Sequence, residues 1–253
     1  MAYPRIGIMG ATGWLGGALG RNLLRRGHPP EGLTLLNRSG PSADYAPWPQ
    51  VCWAQDLPDL LARCDHVVLS VRPEDYRLPA PHPFDGQVIS FMAGVSLSDL
   101  ARDWPKARIA RAMPGGSASQ GTAHVPWCGA GDPAPVLSAL GQVDRVADEG
   151  ALAYLSALSG SGAAYPALMA QALLAHATAQ GIAPDTAWNA VRSVVCAAPA
   201  LFAAGPDQAA ALLETYRGYR GITAAGLAAA EAAGFAASLH RALEAATAKA
   251  LDF

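Results

Sequence analysis

The chain has 253 residues, 51% of them hydrophobic and only 15% charged, with a formal net charge of -2. There is ample apolar surface to bury and no electrostatic footprint for nucleic acid or an anionic membrane, so neither is expected as a partner. Cys52, Cys64, Cys128 and Cys196 are widely spaced, with no C-x-x-C pair and no His cluster beside them, so neither a disulfide framework nor a metal site is expected. The first residues, MAYPRIGIMG, lack a basic start and a long apolar run. No stretch approaches ~18 consecutive lipid-compatible residues, and a soluble cytoplasmic protein is the expectation.

Taken in chain order, short apolar runs at Arg5–Met9, Leu33–Leu36, His66–Val71, Gln87–Met92, Arg108–Met113 and Thr122–Trp127 read as strands. Most are nearly continuous in hydrophobicity instead of alternating, as parallel strands covered on both faces are. Helix-like segments such as Leu15–Arg26 and Leu57–Arg63 fall between them and complete strand-helix units with right-handed crossovers. After about Gly150 alanine dominates and strand-like runs cease. Breaks fall at Gly181/Pro184, Gly205/Pro206, Gly218/Gly221 and Gly234, which leaves room for several helices. Ala-rich helices bury little area each and commonly recover it against a second subunit, so a homodimer is expected.

The first strand runs into Gly10-Ala11-Thr12-Gly13-Trp14-Leu15-Gly16, which opens a helix. In a dinucleotide-binding turn Gly10 allows the tight bend, Gly13 lets the backbone approach a pyrophosphate and Gly16 lets helix and strand pack closely. The helix N-terminus adds N–H donors and positive dipole. The spacing is G-x-x-G-x-x-G, and a glycine turn without a ligand is the alternative. The second strand ends in Asn37-Arg38-Ser39, where NAD-binding chains carry an acidic residue for the ribose 2′-hydroxyl. A basic Arg38 flanked by neutral donors suits a 2′-phosphate, so NADPH is expected over NADH; an ordinary solvated arginine is the alternative. The fold class is therefore α/β, an N-terminal Rossmann doubly wound parallel sheet over residues 1–149 followed by an all-α C-terminal dimerisation domain over 150–253.

Four further segments, Val71-Arg72-Pro73, Ala93-Gly94-Val95-Ser96, Arg111-Ala112-Met113-Pro114 and Leu158-Ser159-Gly160-Ser161-Gly162-Ala163-Ala164-Tyr165, in this order resemble pyrroline-5-carboxylate reductase over nearly the whole chain. The resemblance implies NAD(P)H-dependent reduction of a cyclic imine, with active sites shared between subunits. Read physically, Val71-Arg72-Pro73 and Met113-Pro114 end strands at the edge where a nicotinamide and its ribose sit, or they are packing and turn residues. Ser159, Ser161 and Gly162 offer donors to an anion or amide of the substrate, or they form a hinge.

That family also carries a late loop, S-P-G-G-T-T-x-x-G-L, that binds the substrate. Its counterpart is Gly218–Leu227, which matches at Gly221, Thr223, Gly226 and Leu227 and replaces small residues by Tyr219 and Arg220. The resemblance makes Gly221 a substrate contact and puts Thr223 beside the imine nitrogen as the catalytic hydrogen-bond donor; an N-cap of an Ala-rich helix is the other reading of Thr223. Arg220, assisted by Arg217, suits a bidentate clamp on a carboxylate, or both are solvated. His66, His124, His176 and His240 show no metal spacing. Two other activities stay open: a different NADP-dependent oxidoreductase, acting on a carbonyl or exchanging hydride with a deazaflavin, and a non-catalytic NADP-binding protein.

Overall fold

The computed structural model describes residues 3–76 and 81–252. Its contacts divide the chain into two compact units, Met1–Gly162 with Ala246–Phe253, and Ala163–Ala245.

The first unit holds eight strands among the described residues: β1 (Ile6–Met9), β2 (Leu33–Leu36), β3 (Cys52–Trp53), β4 (His66–Leu69), β5 (Gln87–Ser90), β6 (Arg108–Ala112), β7 (Ala123–Gly129) and β8 (Gly141–Arg145). They form one sheet in the order β3-β2-β1-β4-β5-β6-β7-β8. The pairs from β3 through to β6 are parallel. Helices α1 (Trp14–Arg25), α2 (Leu57–Ala62), α3 (Leu97–Asp103), α4 (Ala134–Leu137) and α5 (Glu149–Leu155) complete the unit. The doubly wound architecture read from the apolar runs is present.

Alternate side chains on each strand enter different cores, as the period of two requires. Val68 and Ile89 join Ile6, Ile8, Leu19 and Leu33 in one cluster, while Val67, Leu69 and Val88 join Leu60, Leu100 and Trp104 in the other. Both faces of the sheet are thus covered, which is why the strands read as continuous apolar runs. At about 1.5–3 kcal/mol for each fully buried large aliphatic or aromatic side chain, these two layers are the main stabilising term of the unit.

Three details depart from the sequence expectation. First, β7 runs antiparallel to β6. Residues 113–122 connect them with a single 3-10 turn at Ala118–Gln120, and a connection that short cannot make the crossover a parallel partner needs. Second, β8 pairs parallel with β7 although its sequence, GQVDR, is largely exposed; an outer strand lacks the apolar signal. Third, β3 has two residues, below what any periodicity can mark.

The second unit contains α6 (Ala164–Ala179), α7 (Pro184–Arg192), α8 (Pro206–Gly218) and α9 (Ile222–Ala232), and α10 (Phe235–Leu251) begins in it. Its helices hide little: Ala187 and Val191 on α7 are buried, and α6, α8, α9 and α10 contain no buried residue. Leu168 is 66% exposed and Leu201 60%. Apolar surface on this scale is characteristic of a face made for association. Among the described residues no single helix is long and apolar enough to cross a membrane; two pairs reach that length only together, bent by 116° and 47°.

Candidate functional site

A cleft of about 620 Å³ opens at the C-terminal ends of β1, β2 and β4. From β1 the chain proceeds outward to β2 and β3 and then returns to place β4 on the other side of β1. That reversal is the switch point at which open α/β sheets bind ligands. Gly10, Thr12 and Gly13 from the glycine turn line the cleft, together with Asn37, Arg38 and Ser39 beyond β2 and Val71 and Arg72 beyond β4. Eight residues singled out from three separated stretches of sequence therefore meet in one place.

The glycine turn has the shape a pyrophosphate requires. Gly10 has φ +88°, and a Cβ there would lie 2.2 Å from the Ser70 carbonyl oxygen. A Cβ on Gly16 would lie 2.4 Å from the Gly10 carbonyl oxygen. Gly13 is the N-cap of α1 with no side-chain cap, and the first turn has no acidic residue, so the helix end offers its N–H groups and dipole without an internal anion competing for them. These residues fit a dinucleotide. Trp14, 61% exposed, and Leu15, packed against the first core cluster, start the helix but do not line the cleft, and Pro73 lies just outside its lining as the first residue of a 3-10 turn, Pro73–Asp75.

Sequence reasoning missed two residues here. Tyr45 is buried, and its hydroxyl donates to the Ala11 carbonyl at 3.0 Å; burial pushes its pKa up to about 12. It braces the glycine turn from a segment with no periodic signal. Asp75 lies across from Arg38, its Oδ1 3.3 Å from Arg38 Nη1. Asn37 donates its side-chain amide to the Ser39 hydroxyl, so the three residues after β2 carry donors on both sides of the arginine.

A second cavity of about 580 Å³ lies at the ends of β5 and β6 and against α5. Met113 and Ser161 line it with Ala93, Gly94, Arg111 and Glu149, whereas Pro114, Ser159 and Gly162 do not. Arg111, mostly buried, pairs with Glu149 and also donates to the Met92 carbonyl at 3.3 Å. Glu149 accepts from the Leu97 backbone N–H at 3.0 Å, joining the starts of α3 and α5 to β6. On the rim, Ser96 and Asp99 form a capping box at the start of α3. The Ser96 hydroxyl and N–H hold the Asp99 carboxyl below the ordinary carboxylate range. Ser159 instead hydrogen-bonds His124 at 3.0 Å and the Leu155 carbonyl at 2.9 Å.

In the second unit Gly221 is the N-cap of α9 and makes no side-chain cap. Thr223 is the second residue of the helix, so the capping role available to it in the sequence goes to Gly221. Its hydroxyl is free of that task. Tyr219 is 72% and Ile222 93% exposed. Arg217 is engaged by Glu214 and, at 2.6 Å, by Glu231, which leaves Arg220 as the arginine of the pair suited to a carboxylate. No group of three or more His, Cys, Asp or Glu side chains among the described residues could hold a metal.

Residues 149–252 match the family model for pyrroline-5-carboxylate reductase dimerisation. A pyrroline-5-carboxylate reductase of Synechocystis sp. is 26% identical over 255 residues, covering 96% of this chain and 95% of that protein. Two solved structures share the fold across nearly their whole length. A pyrroline-5-carboxylate reductase from Coxiella burnetii superposes with a TM-score of 0.86 at 22% identity, over 99% of this chain and 98% of that one. A Plasmodium falciparum pyrroline carboxylate reductase with NADP bound gives 0.79 at 19% identity, over 99% and 98%.

Proposed function

We propose that this chain, which belongs to the pyrroline-5-carboxylate reductase family, is an NADPH-dependent oxidoreductase that reduces the C=N bond of a cyclic imino acid. The observation that carries the reading is the cleft at the switch point, where a glycine cradle, an uncapped helix N-terminus and Arg38 converge. A matching family region supplies the helical half. When bound, NADPH supplies a hydride from its nicotinamide ring.

The protein's contribution is placement and a proton. Gly10 and Gly13, whose own N–H groups donate to the Leu36 and Gly10 carbonyls, shape the turn so that the pyrophosphate can approach. Thr12, Trp14 and Leu15 hold it through backbone N–H groups at the helix start. Asn37, Arg38 and Ser39 take the 2′-phosphate, the arginine through charge-assisted hydrogen bonds. Val71, Arg72, Pro73, Met113 and Pro114 border the nicotinamide end. Ser159, Ser161, Gly162, Gly221 and Arg220 bind the substrate, Arg220 through its carboxylate. Thr223 hydrogen-bonds the imine nitrogen and relays it a proton from water, regaining its own hydroxyl proton in the same transfer. The domain division proposed is 1–149 for the cofactor and 150–253 for substrate and association.

We infer a homodimer built through the C-terminal helices, because the exposed apolar residues of α6 and α7 and the match to a dimerisation family point to the same surface. A Leu168→Glu substitution tests this by sedimentation: a shift toward monomer supports the interface, and an unchanged mass removes Leu168 from it.

The activity is tested by NADPH oxidation across a panel of cyclic imino acids and 2-oxo acids. Turnover confined to cyclic imino acids, and reduced by about 10²-fold or more in Thr223→Val with melting unchanged, is the expected result. Turnover confined to 2-oxo acids, or NADPH binding with turnover of neither class, overturns it.

A further inference from the structure

We propose that Asp75 is a specificity-determining residue of the dinucleotide cleft: it opposes Arg38 and so restrains the preference for a 2′-phosphorylated cofactor. The inference rests on the cofactor reading above and goes beyond it, because the end of β2 taken alone points to NADPH without qualification.

Arg38 and Asp75 come from different crossings of the sheet, one following β2 and the other following β4, and both line the cleft. Their charged atoms are 3.3 Å apart. Asp75 is well placed by its local backbone: Pro73 starts a single 3-10 turn, and the Asp75 N–H donates to the Arg72 carbonyl at 2.9 Å. The carboxylate therefore stands on a short, braced turn. Arg38 is 89% exposed, and an ion pair that exposed contributes little stability. The arginine is readily released to a ligand.

The consequence follows from charge. A phosphate group seated on Arg38 lies within a few ångströms of Asp75, well inside a Debye length, and the two anions repel. A ribose 2′-hydroxyl at the same place meets the opposite situation. It donates a hydrogen bond to a carboxylate, as it does to the acidic residue that NAD-binding chains carry at the end of the second strand. In this chain the arginine occupies that strand end and the acid reaches the same point from β4. The cleft is thereby equipped to accept NADH as well as NADPH, with a smaller preference than Arg38 alone would impose.

The test is the affinity of the full-length protein for NADPH and for NADH, measured by calorimetry without substrate at low and high ionic strength, for the wild type, Asp75→Asn and Asp75→Ser. In both variants the NADPH affinity rises by about three- to tenfold, a range set by screened repulsion between nearby charges, and the gain shrinks at high salt. The NADH affinity stays level or falls. A NADPH-to-NADH affinity ratio that both variants leave unchanged, with the wild type binding dinucleotide, overturns the role of Asp75 alone. A wild type that binds neither dinucleotide overturns the cofactor reading and this inference with it.

Discussion

His124 and Ser159 are joined side chain to side chain, with His124 Nδ1 3.0 Å from the Ser159 hydroxyl. The opposite ring nitrogen lies 3.2 Å from Asp144 Oδ2. The imidazole thus links β7 and β8 to the π-helical turn Ser156–Gly160 that follows α5. Removing either partner costs one or two partly buried hydrogen bonds, about 0.5–1.5 kcal/mol each. Denaturant titration of His124→Met, Ser159→Ala and the double variant is expected to give strongly non-additive losses, since both single changes delete the same bond. Additive losses would show that the contact contributes nothing to stability.

Gly16→Ala separates helix propensity from the glycine turn. Alanine favours a helix by about 1 kcal/mol over glycine, yet its Cβ would meet the Gly10 carbonyl at 2.4 Å. That oxygen belongs to the glycine turn proposed to cradle the pyrophosphate, and it would have to move. The expected outcome is weaker NADPH binding, by about tenfold or more, without a rise in thermal stability. Near-normal affinity measured by calorimetry would mean that the turn yields without losing its ligand geometry.

Replacing Arg38 by Glu is expected to reverse the cofactor preference, because it converts a charge-assisted donor into an anion facing the 2′-phosphate. Affinities for NADPH and NADH, measured side by side, decide the point. An unchanged preference would remove Arg38 from cofactor recognition and leave it as a solvated partner of Asp75.

Two buried acids predict an alkaline limit to stability. Burial raises Tyr45 from 10.0 to about 12 and Cys64 from 9.0 to about 12. In each case the folded chain keeps a proton that the unfolded chain has already lost. Their stabilising contribution is complete below the unfolded pKa and disappears as pH rises through the folded one. Unfolding free energy should therefore fall between about pH 9 and pH 12, by up to about 1.4 kcal/mol per pH unit for each group. The slope should diminish in Tyr45→Phe with Cys64→Ala. An identical slope in that double variant would assign the limit to other groups.

Much of the cofactor half is readable from the chain because its signals are local. β1, the glycine turn and α1 lie within twenty consecutive residues, and the apolar runs of β4, β5 and β6 reflect burial on both faces. Arg38 is legible for the same reason, standing at the end of a short strand. Asp75 is not, since nothing within Val71–Tyr76 says that β4 returns beside β1 and carries that acid to the arginine. Tyr45 is hidden likewise: its partner, Ala11, is remote in sequence and offers only a backbone carbonyl.

The residue order by itself determined a doubly wound sheet, a glycine turn opening its first helix, an Ala-rich helical half and an arginine just past the second strand, because propensity, periodicity and glycine sterics act over a few residues. Only the tertiary structure decided the reversed direction of β7, the bracing of the turn by Tyr45, the His124–Ser159 link and the acid opposite Arg38. Each of those depends on which distant segments the sheet brings within a few ångströms, where charge and hydrogen bonding act and sequence distance has no meaning.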